Sequence, residues 1–221
     1  MTAIKAPATS PAQHHAALLV DIVRSRNSDR DQSHRTLIAA AEHTNALHQA
    51  VDPIRPTVGD EAQAVYATLG SALDAAYTLR LHCASAQHPV DLRIGVGTGE
   101  VRTVDADRHI QDGSAWWAAR EAIDFITATA QQAHFAHLRM HVIDSRPEAN
   151  SLTNPTLQLL DAQLSRMRPQ PLGTLRHLLE GVSNQDAAAQ LGISASANSQ
   201  RVRQHHMHTM TEAITALATL P

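Results

Sequence analysis

The sequence has few of the residues on which several classes of protein depend. Its 221 residues include a single cysteine, Cys83, which excludes an internal disulfide and a thiolate zinc site and favours a packing role for that residue. No apolar run approaches the length that spans a bilayer, and the segment before Ala16 lacks the charged and apolar regions of a signal peptide. We therefore expect a cytoplasmic protein that makes no membrane contact.

Metal-binding spacings of histidine are also missing. The 15 histidines are scattered, and none forms a His-Glu-x-x-His or similar arrangement. The densest group, at 205–208, is better interpreted as a phosphate-facing or solvated helix face.

Charge is distributed unevenly along the chain. The net charge is −3, but residues 1–164 carry 13 Lys and Arg against 18 Asp and Glu (−5), whereas residues 165–221 carry 5 against 3 (+2) and four histidines. The C-terminal part is therefore the candidate for contact with a polyanion.

The hydrophobic pattern predicts alternating strands and helices after a disordered arm at 1–15. Strands are expected at 17–20, in a hairpin within 53–66 that turns at Gly59-Asp60, and at 90–101 and 138–143; helices are expected at 33–51, 69–84 and 116–130. The order β-α-β-β-α-β-α-β predicts an α+β domain at 16–146 with a ferredoxin-like fold, in which helices cover one face of an antiparallel sheet. A linker helix at 157–164 is expected within 147–167.

Three glycines interrupt the strand predicted at 90–101. Gly95, Gly97 and Gly99 do not follow the dinucleotide-binding spacing Gly-x-Gly-x-x-Gly. We interpret them as thinning the strand where another backbone or a ligand approaches.

Residues 168–221 are predicted to form a small all-α domain. Helices at 172–179, 184–191 and 195–209 are separated by short turns, in which Gly192 can adopt the left-handed conformation and Ser194 can cap the third helix. The stretch GVSNQDAAAQLGISASANSQRVRQ resembles the helix-turn-helix of LuxR-like and sigma-factor-like regulators. The third helix would present DNA-contacting side chains from Ser194, Ser196, Asn198, Ser199, Gln200, Arg201 and Arg203.

Other interpretations of this domain remain open. Three-helix modules of this kind also mediate contacts between proteins without DNA. In that case the apolar segment 210–220 would serve dimerisation.

Carboxylates mark two strand ends in the N-terminal part. Asp21 follows the first strand and Asp60 lies in the hairpin turn, so on a ferredoxin-like sheet the two could share Mg²⁺ or Mn²⁺ with a nucleoside triphosphate. The pattern LLVDIVRSR, VGDEAQ, LRIGVGTGEV and GSAWWAAREAID resembles the SatD family and, more distantly, class III nucleotide cyclases and GGDEF domains. The resemblance covers about residues 16–144, and for SatD the helix-turn-helix as well.

The resemblance implies roles for individual residues. Asp21, Asp60 and the carbonyl of Ile22 would hold the metal; Ser25, Arg26, Gly59, Glu61 and Arg120 would contact the nucleotide, with Arg120 catalytic if the protein is an enzyme. Two positions depart from the cyclase pattern, since Trp116 replaces the ribose-orienting asparagine and Pro56 replaces the purine-selecting lysine. We interpret Trp116 and its neighbour Trp117 as packing residues or a stacking surface.

Three functional hypotheses follow. The first is a homodimeric, DNA-binding transcriptional regulator whose degenerate cyclase-like domain senses a nucleotide, as a triphosphate or in cyclic form, or simply dimerises. In that hypothesis the partner is double-stranded DNA. The second hypothesis is a metal-dependent nucleotidyl cyclase or related phosphoryl-transfer enzyme that acts on a nucleoside triphosphate. The third is a structural partner protein that uses neither site.

Overall fold

A computed structural model describes residues 13–23, 29–57 and 60–221. Within these residues six strands form one sheet and eight α-helices surround it. The strands are β1 (Gln13–Ile22), β2 (Asp52–Pro56), β3 (Glu61–Tyr66), β4 (Leu92–Asp105), β5 (Ile110–Asp112) and β6 (Met140–Ile143). The helices are α1 (Arg30–Leu47), α2 (Leu69–Ser85), α3 (Ser114–Thr129), α4 (Thr153–Leu164), α5 (Pro169–Leu179), α6 (Asn184–Gln190), α7 (Ala195–Gln204) and α8 (Met207–Leu217).

The sheet is mostly antiparallel and has β1 at its centre. Its order is β2-β3-β1-β4-β5, with antiparallel neighbours throughout, and β6 joins the first half of β4 in parallel. The predicted arm at 1–15 lies outside the described residues except for its last three, which extend β1 because they pair with residues 99–101 of the long strand β4. Order therefore begins before Ala16, contrary to the expectation.

Helices cover both faces of the sheet, which corrects the expectation of a single covered face. Leu18 and Val20 of β1 point into the large core that includes α1 and α2, whereas Ala17 and Leu19 point into a second cluster formed with α3. The physical reason is the period of two along a strand: an unbroken apolar run places side chains on both faces, and each face needs a cover.

The glycines of β4 let α3 lie directly against the strand. A Cβ atom added at Gly97 would stand 2.2 Å from the backbone nitrogen of Ala119, and one added at Gly95 would stand 2.4 Å from the Ala119 carbonyl oxygen. Ala115, Ala119 and Ile123 complete this thin layer. The interpretation of the glycines as a place of close backbone approach is confirmed.

The C-terminal helices pack onto the outer side of α2 rather than standing apart. Leu175 of α5 and Met207, Ile214 and Leu217 of α8 belong to the same buried cluster as the sheet. The apolar segment at 210–220, for which a dimerisation role was one interpretation, therefore buries its apolar side within its own chain. The domain boundaries at 146 and 168 stay predictions.

The third C-terminal helix is shorter than expected. We predicted one helix over 195–209, but α7 ends at Gln204 and α8 starts at Met207. Between them His206 adopts a left-handed conformation with φ of +52°. No glycine or proline marks this break in the sequence, and the packing of Met207 and Met210 into the core supplies the reason for the change of direction.

A buried ion pair connects α2, α4 and β6. Arg80 of α2 pairs with Asp161 of α4, and both side chains are almost fully buried. Asp161 also accepts hydrogen bonds from the backbone nitrogens of Arg139, at 2.6 Å, and Met140, at 2.9 Å. These partners satisfy a carboxylate that would otherwise be costly to bury.

Cys83 lies on α2 with its side chain buried in the hydrophobic core, as expected for a lone cysteine with a packing role. Burial raises the pKa of its thiol to about 12, so the thiolate that chemistry would require does not form at neutral pH. In the part of the chain that the structure describes, no helix has the length and apolar character needed to cross a membrane.

Candidate functional site

Acidic and basic side chains meet at one end of the central strands. Asp21, near the end of β1, is opposite Glu61 of β3 and Arg93 of β4 in the strand register. Arg93 donates from Nη1 to Oδ2 of Asp21 at 2.9 Å. Burial raises the pKa of Asp21, the Arg93 hydrogen bond opposes this, and the nearby carboxylates of Asp60 and Glu61 raise it further. We call Asp21, Asp60, Glu61, Arg93 and Arg120 the sheet-end cluster.

Arg120 reaches the cluster from α3. Its guanidinium makes a two-pronged ion pair with Glu61, with Nη1 3.1 Å from Oε1 and Nη2 3.0 Å from Oε2. The Arg120 side chain is 47% exposed and that of Glu61 35% exposed, so this pair can exchange partners at low cost. The Glu61 hydrogen bonds raise the pKa of Arg120, which therefore carries a permanent positive charge beside the carboxylates.

A second polar surface follows the α6–turn–α7 segment. Gly192 adopts the expected left-handed conformation with φ of +66°, and Ser194 caps α7 by accepting a hydrogen bond from the Ala197 nitrogen at 3.1 Å. Ser196, Gln200 and Arg203 are exposed on α7, and Ser199 and Arg201 are half-buried. Residues 187–211 contain no Asp or Glu, so the chain from the second half of α6 through α7 carries positive charge only, and Asp186 in the first turn of α6 is the exposed acidic residue of the segment.

Asn198 does not belong to this surface. Only 3% of it is exposed, and its side chain joins α7 to two other helices. It accepts a hydrogen bond from the Thr174 hydroxyl at 2.8 Å and donates to Oδ1 of Asn184 at 3.0 Å. The predicted DNA contact by Asn198 is therefore wrong: the residue holds the helices together.

The family model of the SatD family matches residues 15–216, which is most of the chain. The chain belongs to the SatD family. Its sequence matches no curated protein.

This SatD protein is also similar to a bacterial light-regulated adenylyl cyclase of known structure, with 14% identity and a TM-score of 0.45. The match covers 60% of the SatD chain and 44% of the cyclase chain.

The structure brings together four of the residues predicted for the metal and nucleotide site. Besides burial, the charges of Asp60 and Glu61 raise the pKa of Asp21. Besides the Glu61 hydrogen bonds, the charges of Glu61 and Asp21 raise the pKa of Arg120, so these four residues lie near one another in the sheet-end cluster. Ile22 follows Asp21 with its side chain buried in the core. Ser25, Arg26 and Gly59, the remaining predicted contacts, lie outside the described residues.

Sequence reasoning missed Arg93. Its Nη1 contacts Asp21, and its Nε is buried without a hydrogen-bond partner among the described residues. The signal was available in principle, because antiparallel pairing of the first strand with the glycine-rich strand places position 93 opposite position 21.

The two tryptophans differ in their surroundings. Trp116 is half-buried against the α3 side of the sheet, as expected of a packing residue. Trp117 is 67% exposed and donates from Nε1 to Oδ1 of Asp112 at 3.1 Å. Of the two tryptophans, Trp117 is therefore the one that offers an aromatic face to solvent.

The cluster fits a metal that arrives together with phosphate. Its donors are carboxylate oxygens, which suit Mg²⁺, but one Asp21 oxygen already accepts from Arg93. Within the described ranges no three His, Cys, Asp or Glu side chains converge closely enough to hold a metal ion by themselves. Because Mg²⁺ is commonly bound by one or two carboxylates plus substrate phosphates, the donor set fits a metal–nucleotide complex better than a free ion.

Proposed function

We propose that this SatD protein is a DNA-binding regulator in which α6 and α7 act as a helix-turn-helix. The observation that carries the proposal is the α7 surface, on which Ser196, Gln200 and Arg203 are exposed within 25 residues (187–211) free of acidic side chains. Amide and guanidinium groups of this kind read base edges, and arginines contact phosphates. Ser194 and Gly192 support the proposal because they set the start of α7 and the turn before it.

The rest of the chain would determine the position of the α7 surface relative to the DNA. We infer that the sheet and α1–α3 form a ferredoxin-like, cyclase-like domain that binds a nucleotide, dimerises, or does both. Because α8 already buries Ile214 and Leu217 within its own chain, a homodimer would be formed through the sheet domain.

The proposal is tested by fluorescence anisotropy with a labelled mixed-sequence DNA duplex of about 30 base pairs, at several salt concentrations. Each phosphate contact contributes about −0.9 to the slope of log K against log salt. We expect Arg203→Ala to weaken binding and reduce the slope by about one. Arg108→Ala, at an exposed arginine in the turn after β4, is the matched control and should leave both unchanged. Absence of any DNA affinity at low salt contradicts the proposal.

A second function has support from the sheet-end cluster. Asp21 is half-buried with two further carboxylates beside it, and Arg120 is held there by an exchangeable pair with Glu61. A bound metal–nucleotide complex would supply the electrophilic phosphate, Asp21 and Asp60 would hold the metal, and Arg120 would leave Glu61 to stabilise phosphate charge. The replacement of the cyclase asparagine by Trp116 favours binding over turnover.

Pyrophosphate release from ATP, GTP, CTP and UTP with Mg²⁺ or Mn²⁺ separates the two possibilities, with Asp60→Asn as the comparison. Release that disappears in Asp60→Asn identifies an enzyme. No release, combined with calorimetric binding of a nucleotide that Asp60→Asn weakens, identifies a sensing domain. If the folded protein neither releases pyrophosphate nor binds a nucleotide, both proposed uses of the cluster are contradicted.

A further inference from the structure

A cavity of about 230 Å³ opens among the C-terminal helices, between α5, α6, α7 and α8. Its walls are apolar, from Leu178, Val182 and Val202. Its polar part comes from Thr174, Asn184 and Asn198, the same residues that tie α7 to α5 and α6. It is distinct from the sheet-end cluster, with which it shares no residue.

Among the described residues that line this cavity, Arg203 is the permanently charged one. Arg203 and His208 are its ionisable lining residues, and no carboxylate is among the described residues that form its wall. The acidic residue of α6, Asp186, is engaged elsewhere, since its Oδ2 accepts from the Ser183 hydroxyl at 2.7 Å. A ligand in the cavity therefore meets positive charge without a competing anion from the protein.

The amide groups of the cavity retain hydrogen-bonding capacity. Thr174 donates to Asn198, Asn198 donates to Asn184, and Asn184 donates to the carbonyl oxygen of Ala195, with distances of 2.8, 3.0 and 3.0 Å. Each asparagine amide carries two N–H donors, and this chain of bonds uses one of each pair. A second N–H on Asn184 and on Asn198 is thus left for an acceptor on a ligand.

A larger cavity of the described chain lacks this feature. It measures about 280 Å³ between α2, α4 and α5, and two arginines line it. Arg80 there is paired with Asp161, and Arg139 is paired with Asp91 at 2.8 Å. Its charges are already neutralised, so nothing in that cavity selects an anionic ligand.

We propose that the cavity between α5, α6, α7 and α8 binds a small organic carboxylate. The carboxylate group would be held by Arg203, His208 and the asparagine amides, and an apolar body would lie against Leu178 and Val202. The volume is below the range of about 300–1,000 Å³ typical of pockets for drug-sized ligands, which excludes a nucleotide and favours a single ring or short branched chain.

The proposal has a consequence for the α7 surface, and this consequence rests on the proposed function. Arg203 is both a lining residue of the cavity and an exposed member of the surface proposed to contact DNA. A carboxylate that engages Arg203 removes one phosphate contact. Such a ligand would weaken DNA binding.

The test uses the full chain without DNA, so its failure is distinguishable from failure of the DNA proposal. Benzoate is titrated by calorimetry, with benzamide as its neutral counterpart and inorganic phosphate as an anion without an apolar body. We expect one benzoate per chain and at least about tenfold weaker binding of benzamide and phosphate, because each lacks one of the two recognised features.

Two variants locate the site. Arg203→Gln should weaken benzoate binding about tenfold, and Ser199→Leu, at a half-buried lining position, should abolish it by filling the cavity. Arg108→Gln is the control and should leave affinity unchanged. The proposal is overturned if benzoate shows no binding at about 10 mM, if benzamide binds equally well, or if folded Arg203→Gln and Ser199→Leu proteins bind as the wild type does.

Discussion

The two faces of the sheet are built in different ways. On one face α3 lies backbone against backbone on β4, with Gly95 and Gly97 beneath Ala119. On the other, α1 and α2 pack through large side chains, among them Tyr66, Leu73 and Leu79, and α5 and α8 form a further layer behind α2. The α3 face needs glycines without side chains so that helix and strand backbones can touch, and the α2 face needs large side chains that fill the space between its elements.

This difference predicts different kinds of sensitivity. A face formed by close backbone approach tolerates no added methyl group, since helix and strand must separate to admit it. A face formed by interdigitated side chains tolerates apolar exchanges of similar volume but not an unpaired charge. Substitutions on each face test this difference.

Substitution of the strand glycine should have the largest effect. In Gly97→Ala the new methyl group would stand 2.2 Å from the Ala119 nitrogen and 2.3 Å from the Ala115 carbonyl oxygen, so α3 must move as a whole. We expect a loss of more than about 3 kcal/mol in the free energy of unfolding, or no folded protein, measured by urea denaturation.

Gly181→Ala is the matched control for that substitution. Gly181 has φ of +70° and no atom within 4 Å of an added Cβ, so only backbone strain is introduced. The expected cost is about 1–2 kcal/mol. Equal losses at positions 97 and 181 would contradict the close-approach explanation of the α3 face.

Removal of the buried cation on the opposite face should lower the free energy of unfolding nearly as much as Gly97→Ala does. Arg80→Met keeps a long side chain of similar volume but leaves the buried Asp161 side chain without its ion-pair partner, and we expect a loss of about 3–5 kcal/mol in the free energy of unfolding. Arg102→Met breaks an exposed pair with Asp112 and should leave the denaturation midpoint unchanged.

The double variant Arg80→Met, Asp161→Asn sharpens this test. An asparagine there retains an oxygen that can accept from the Arg139 and Met140 nitrogens but carries no charge. Part of the lost stability should therefore return. A double variant no more stable than Arg80→Met would show that the charge is not the source of the loss.

The smallest effect is expected in the pH dependence of the unfolding free energy, to which the contact between α2 and α5 contributes. Burial, and secondarily the charge of Arg176, lowers the pKa of His82 from an ordinary value of 6.5 to about 4. Between these values the unfolded chain takes up a proton that the folded protein does not. The stability attributable to neutral His82 is therefore complete above about pH 6.5 and falls as the pH decreases towards 4.

His82→Asn should reduce this acid sensitivity. Nδ1 of His82 lies 3.2 Å from Nη1 of Arg176, and an asparagine oxygen can accept in the same place without titrating. We expect a smaller difference in unfolding free energy between pH 7 and pH 5 than in the wild type. Burial also lowers the pKa of His177 and His48, so some pH dependence should persist. An unchanged difference, or one equal to that of His134→Asn at an exposed turn, would contradict the assignment.

Much of the order of elements could be predicted because it depends on local periodicity. The helices predicted at 69–84 and 116–130 agree with α2 and α3 to within two residues at each end. The hairpin of β2 and β3 follows from two short runs around a turn signal. β5 and the last four residues of β4, 102–105, were missed, because these residues are mostly polar and show no alternation that distinguishes a strand from a loop.

The candidate sites were predictable to different degrees. Asp21 and Glu61 meet because each stands at a strand end that pairing brings together, which a topology argument can anticipate. Asn198 could not be assigned correctly, because a polar residue on an amphipathic helix is expected to face solvent. Its burial depends on Thr174 and Asn184, which lie 24 and 14 residues away along the chain.

Local sequence is enough to specify most of the helices and strands, the left-handed turn at Gly192 and the cap at Ser194, because these depend on groups within a few residues of one another. Long-range packing, by contrast, places α3 and α2 on opposite faces of the sheet, packs α8 on its own chain and brings Arg93 to Asp21. The physical reason is that side-chain burial and the pairing of charges are satisfied by residues distant in sequence, and hydrophobic attraction has no direction of its own to specify them.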